Sequence, residues 1–349
     1  MLTIHAGLHK TGSTAIQQYL SRAPKEVRKG LAYLKARSNK FSRNDGVAIP
    51  TNPEQWRALT SRALATHRDV VVSDEGIFGS PWGDSNMYIE TQERAGAISR
   101  AFAGLTDFQV VVYLRPQYQW FESLYTQMIQ QGESISPDGF IAKHADSNYV
   151  SYSRLVSDLT SVLGGEHLVF RAYRPGNDVV EDFLAVIGRV GPPVLDGARL
   201  ANVSINPAQV ELLRRINETG EDPTTGQLGR IFFQGKGFSH LRRDYSVFPA
   251  LQQQQLLNRT KEDWEHLGAA VAQTRLAQPA PFQDIAEGID SLTLRPFIGA
   301  PENCEEIIGE TTRAFHPLIQ NAMALKSVQK RLVYVIKSRL EIIRQTGTL

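Results

Sequence analysis

His5-Ala6-Gly7-Leu8-His9-Lys10-Thr11-Gly12-Ser13-Thr14 follows directly on the apolar start Leu2-Thr3-Ile4. Leu2 to Ala6 reads as a short buried strand. Ala15 to Leu20 then places Ile16, Tyr19 and Leu20 on one helical face. A strand, a glycine-bearing turn and a helix open a parallel α/β sheet. In such a turn, backbone N–H groups and the helix N-terminus make a nest for an anion. Ser13 and Thr14 add hydroxyl donors, so the segment predicts a phosphate-binding loop.

Further strands are expected downstream. Asp69-Val70-Val71-Val72-Ser73 is apolar throughout its centre and ends in Asp74-Glu75-Gly76. Phe108 to Arg115 is the clearest strand pattern, closed by Pro116 and followed by an amphipathic helix from Gln119 to Gln130. Trp120, Phe121, Tyr125 and Met128 have the helical spacing of core residues. His167 to Arg171 makes a fourth strand. Strands separated by helices imply crossover connections. The fold class expected is α/β, a P-loop-type parallel β-sheet flanked by helices, with a mainly helical C-terminal extension. Ligands of such sheets bind at strand carboxyl ends, so the loop after Ala6, the turn at Glu75, and Arg115 should converge on one crevice.

Beyond Phe183-Leu184 the pattern is helical, most clearly at Pro207 to Asn217 and Ala250 to Val271. Ala277 to Pro281 has linker composition. A binding domain is therefore expected over 1–275 and a helical extension over 276–349. In that extension, basic residues between Lys326 and Arg344 alternate with Leu332, Val335, Ile336, Leu340 and Ile343. Such a helix packs on its own domain or offers peripheral contact with a membrane, an anionic polymer or a partner subunit.

The 349 residues carry a formal charge of only +2, which excludes general nucleic-acid binding by the whole chain. The single cysteine, Cys304, leaves no intrachain disulfide and no cysteine-cluster zinc site. No basic leader precedes the first strand and no apolar run approaches 18 residues, so a cytoplasmic protein without a transmembrane segment is expected.

The loop resembles the Gly-x-x-x-x-Gly frame of nucleoside triphosphatases, with one displacement. That pattern requires lysine directly after the second glycine. Here Ser13 stands there, and the lysine lies inside the loop at Lys10. No acidic residue pairs with the loop to hold magnesium, so no metal is expected. A small-molecule or nucleotide kinase is thereby disfavoured.

Lys10-Thr11-Gly12-Ser13-Thr14 after an amino-terminal strand resembles the 5′-phosphosulfate-binding loop of sulfotransferases that use 3′-phosphoadenosine 5′-phosphosulfate (PAPS). The wider form is similar to bacterial members acting on carbohydrates or small metabolites. The resemblance implies that Lys10 contacts the oxygen bridging phosphate and sulfuryl group, and that Thr11, Gly12, Ser13 and Thr14 hold the 5′-phosphate. It also implies a 3′-phosphate site at Arg115, which ends a strand, and Ser123 on the next helix. An arginine fork suits phosphate oxygens on physical grounds as well. Val169 to Arg174 and Ala201 to Pro207 carry the likeness further, and Tyr173 is the candidate to meet the adenine. Gly235-Lys236-Gly237 is a poorer match to a basic loop, and reads as a surface turn. The resemblance covers about residues 1 to 270 and is thinnest over 21 to 68.

Transfer to a hydroxyl needs a base, which the family places at the carboxyl end of a strand after the loop. Glu75 is the first candidate, since a partly dry carboxylate has a raised pKa. Asp74, His9 and His5 are the alternatives, with His9 shaping the loop or touching donor or acceptor and His5 a core histidine. The functions implied are a PAPS-dependent sulfotransferase, a kinase, or a non-catalytic ligand-binding relative.

Overall fold

The computed structural model describes residues 1–37, 47–82, 87–147, 150–174, 178–191, 205–218 and 245–298. By its internal contacts the chain forms two units. The first comprises Met1–Trp120, His144–Asn202 and Leu257–Leu292; the second comprises Phe121–Lys143, Val203–Leu256 and Thr293–Leu349.

The first unit is built on a parallel sheet. Its strands are β1 (Leu2–His5), β2 (Leu31–Arg37), β3 (Val47–Ala48), β4 (Asp69–Ser73), β5 (Phe108–Leu114) and β6 (Leu168–Ala172), ordered β3-β2-β4-β1-β5-β6. β1 lies at the centre, with Ile4 opposite Val72 on one side and Val110 on the other. Every residue of β1 and β5 is buried. Continuous apolar runs are what a sheet covered on both faces demands.

Alternation sorts the side chains between two helical layers. Val71, Val111, Tyr113 and Val169 pack against α1 (Ser13–Arg22) and α8 (Val179–Val186) through Ile16, Leu20, Val180 and Phe183. The intervening Val70, Val72, Val110 and Val112 are equally buried on the other face. There α4 (Thr91–Ala101) packs with α3 (Pro53–Thr66) and α7 (Tyr152–Leu163). This is the α/β architecture expected from the sequence, with the strand ends moved by one residue and with β2 and β3 added.

The sheet order locates the crevice. From β1 the chain passes toward β2 on one side, and from β5 toward β6 on the other. Ligands of open α/β sheets bind at such a reversal, beyond the strand carboxyl ends. Here that is the loop after β1 and Arg115 after β5. A buried carboxylate fixes the chain just beyond Arg115. Asp263 accepts from Gln117 Nε2 at 2.7 Å, Tyr152 N at 2.6 Å and Ser153 N at 3.1 Å. Trp264 Nε1 donates to Gln117 Oε1 at 2.6 Å. The start of α5 (Gln117–Gln130) is thus tied to α10 (Ala250–Val271) within this unit.

The second unit takes the remainder of α5, most of α6 (Pro137–His144), α9 (Pro207–Glu218) and the first part of α10. Phe121, Tyr125, Phe140 and Phe248 form its aromatic centre. Met128, expected as a core residue, is only half-buried. Asn217 Nδ2 donates to Ile129 O at 2.8 Å and Glu133 O at 2.7 Å, fixing the end of α9 against α5.

A short helix α11 (Ala280–Ile289) begins inside the stretch 277–281 expected as a linker, with Pro279 as its N-cap. Cys304, Gly235-Lys236-Gly237, Ala201 to Ser204 and the basic stretch Lys326 to Arg344 lie outside the described residues. Among the described residues, no helix is long and apolar enough to cross a membrane.

Candidate functional site

Two residues of the loop after β1 have left-handed backbone, Lys10 at φ 67° and Gly12 at φ 85°. Glycine adopts this conformation freely, whereas for lysine it costs about 1–2 kcal/mol. Such strain persists where the surroundings hold it, commonly at ligand sites. Thr11 Oγ1 donates to Leu8 O at 2.6 Å and ties the turn internally. Helix α1 then starts at Ser13 with Gly12 as its N-cap and no side chain capping it. By contrast, Asn52, Ser151 and Asp178 cap α3, α7 and α8 with side-chain oxygens. The N-terminal end of α1 keeps its positive dipole end for another acceptor.

Beneath the loop sit two buried polar atoms with no hydrogen-bond partner, Ser13 Oγ and His5 Nε2. His5 Nδ1 lies 2.8 Å from Ser73 Oγ, which links β1 to β4. Burial pushes the His5 pKa down to about 3, so this imidazole is neutral. Gly7 explains how the atoms fit. A Cβ there would stand 2.2 Å from Ser13 Oγ and 3.1 Å from His5 Nε2. Gly7→Ala is therefore expected to destabilise the protein by about 1–3 kcal/mol through overpacking. Denaturant unfolding measures it, and adding Ser13→Ala should recover most of the loss; no recovery would show that the strain lies elsewhere.

Gly12 has a different constraint. Its Cβ would meet Val179 Cγ1 at 2.9 Å and Tyr173 Cε2 at 3.1 Å. Tyr173 thus stands against the loop, its N–H donating to Leu114 O at 2.7 Å. Arg115 joins the same group. Its Nη1 donates to Lys10 O at 3.2 Å, and its Cζ lies 5.5 Å from the centroid of the Tyr173 ring, within cation–π range. Thr14 is exposed on the first turn of α1. Ser123 is half-buried on α5, in the part assigned to the second unit.

On the other side of the loop, His9 meets the turn after β4. Its backbone N–H donates to Tyr88 Oη at 2.9 Å, and its Nδ1 lies 3.0 Å from the same oxygen. Its carbonyl accepts from Trp120 Nε1 at 2.9 Å. The ring stands edge-on to Trp82 with centroids 6.0 Å apart. Nε2 faces Glu75, 3.9 Å from Oε1. Burial, followed by the charge of Lys10, pushes the His9 pKa down to about 3.

The Glu75 side chain is 37% exposed, and partial burial raises its pKa while Lys10 opposes the shift. Asp74 has a different task. It is buried, and its Oδ1 accepts from Gly76 N at 2.7 Å, closing the turn that presents Glu75. The loop after β1 thus brings together Lys10, His9, Glu75, Ser13, Arg115 and Tyr173. Tyr88, Trp82 and the indole N–H of Trp120 support this group through His9, although no sequence motif marks them for it. Tyr88 itself has left-handed backbone at φ 56°.

No family model matches the chain. A stretch of 123 residues is 30% identical to an uncharacterized protein of Archaeoglobus fulgidus, and covers 34% of this chain and 33% of that protein. The chain therefore spans about a third of the length of the relative it matches.

Proposed function

We propose that the protein is a sulfotransferase, moving a sulfuryl group from PAPS to a hydroxyl of a carbohydrate or small metabolite. The observation that carries this reading is the loop. Strained Lys10 stands beside a helix N-terminus without a side-chain cap, and the Ser13 hydroxyl is buried with no partner. That set fits a phosphate with an ester-like group at Lys10, and the likeness of Lys10 to Thr14 to the sulfotransferase loop names the donor.

Ser13, Thr14 and the backbone of Thr11 and Gly12 would hold the 5′-phosphate, and the Arg115 guanidinium the 3′-phosphate. Tyr173 would meet the adenine. The bound donor supplies an electrophilic sulfur and a phosphate leaving group. Glu75 takes the proton of the acceptor hydroxyl as its oxygen bonds to sulfur. The bond from sulfur to the bridging oxygen breaks, and Lys10 neutralises the charge left there. His9 steadies the two sides of the loop. A cytoplasmic setting goes with this reading.

A thermal-shift series tests it. The desulfonated product PAP, without magnesium, should raise the melting temperature. At a hundredfold excess over Kd the stabilisation is about 2.7 kcal/mol. ATP with magnesium is the comparison arm. Stabilisation by ATP–magnesium and none by PAP would replace the sulfotransferase with a kinase.

A further inference from the structure

We infer that Tyr88 is a positioning residue, whose hydroxyl sets the tautomer of His9 so that the Nε2 proton faces Glu75. Tyr88 Oη lies within hydrogen-bond distance of two His9 nitrogens, the backbone N at 2.9 Å and Nδ1 at 3.0 Å. The backbone nitrogen carries a hydrogen and only donates, so it takes an acceptor position on the phenol oxygen. The phenol oxygen could accept a second hydrogen bond, but among the described residues Nδ1 is the one acceptor within reach of its own hydrogen. The buried hydroxyl is therefore satisfied as a donor only if His9 Nδ1 receives it as a bare lone pair. A neutral imidazole holds one proton, which is thereby placed on Nε2. That atom is the one facing Glu75 Oε1, at 3.9 Å.

The surroundings hold this chain of donors in place. Tyr88 is 1% exposed and its ring stacks on Trp120, with centroids 6.2 Å apart. Trp120 in turn donates to His9 O at 2.9 Å. His9 is pinned through its N–H, its carbonyl and its ring, by two aromatic residues that lie against one another. Burial keeps the imidazole neutral and raises the Tyr88 pKa well above its usual value, so both groups keep the protons assigned to them.

The consequence for Glu75 rests on the sulfotransferase reading. With the proton on Nε2, the positive edge of the ring faces the Glu75 carboxylate at 3.9 Å, an electrostatic attraction rather than a hydrogen bond. The carboxylate oxygens stay available to the acceptor hydroxyl. With the proton on Nδ1 instead, a bare Nε2 would face the carboxylate, and lone pair would oppose lone pair.

Nitrogen-15 NMR of the histidine side chains in the full chain tests the tautomer without any reaction, with His9 assigned by its loss in His9→Asn. In the wild type, Nδ1 should give a pyridine-type and Nε2 a pyrrole-type signal at neutral pH. In Tyr88→Phe the pattern should become mixed or reverse. Turnover should then fall on the order of 10²-fold, as for a misplaced catalytic group, with PAP affinity unchanged. A protonated Nδ1 in the wild type overturns the proposal, and so does an unaltered pattern in Tyr88→Phe. The wild-type spectrum decides even if the variant does not fold. Failure of PAP to bind the wild type would strike the sulfotransferase reading, whereas the tautomer spectrum judges Tyr88 alone.

Discussion

Glu75→Gln is expected to lower PAPS-dependent turnover by about 10²–10⁴-fold, the usual worth of a general base, while PAP binds with wild-type affinity. The change keeps the shape of the side chain and the turn closed by Asp74, and removes only the capacity to accept a proton. Single-turnover kinetics alongside PAP titration separate the two effects. Near-normal turnover would transfer the role to another group. Of the alternatives, Asp74 is occupied with Gly76 N, and His5 is sealed beneath the loop.

The same residue gives a pH signature with a defined sign. Partial burial raises the Glu75 pKa above its ordinary value. As base, Glu75 works ionised, so the acid limb of kcat/KM should lie above the ordinary carboxylate range. Stability should follow the opposite trend. The folded state holds the Glu75 proton more tightly than the unfolded chain does, so stability contributed by this group falls as pH rises from the ordinary to the raised pKa. Glu75→Gln should therefore be at least as stable as the wild type at neutral pH, with the advantage vanishing in acid. Melting temperatures of the two proteins across pH check this, because the contributions of His5 and His9 are common to both.

The parts of the fold that were legible are those where burial and composition agree. β1, β4, β5 and β6 are short apolar runs covered on both faces, and each ends within one residue of its expected limit. β2 was not legible. Leu31 to Arg37 contains two alanines, a lysine and an arginine, residues poor in strand preference, and it gains its place by pairing with β4 from Leu31 to Lys35. Only the sheet supplies that partner.

The site divides in the same way. Lys10, His9, Glu75 and Arg115 stand at strand carboxyl ends, where the α/β rule points. Tyr88 comes from a loop with no motif, has left-handed backbone at φ 56°, and meets His9 through its hydroxyl. Periodicity correctly put Trp120 in the interior, but periodicity reports burial and is silent about where an indole N–H goes. Here it goes to the carbonyl of His9, making a core residue a support of the loop.

Lys10→Met should lower kcat by about 10²–10³-fold, the effect of removing one charge-stabilising donor from a developing anion. Methionine is unbranched and of similar length, and its Cβ meets the same left-handed backbone constraint, so the loop geometry is preserved. The Lys10 carbonyl, which accepts from Arg115 Nη1, is retained. Loss of the ammonium also removes a charge that holds the Glu75 pKa down and the His9 pKa down. The acid limb of the residual activity should therefore move to higher pH than in the wild type. PAP, which lacks the sulfuryl group, should lose far less affinity than turnover loses rate. An equal loss in PAP affinity and kcat/KM would mean that Lys10 binds the donor as a ground-state anchor, and that the charge on the bridging oxygen is met by another group.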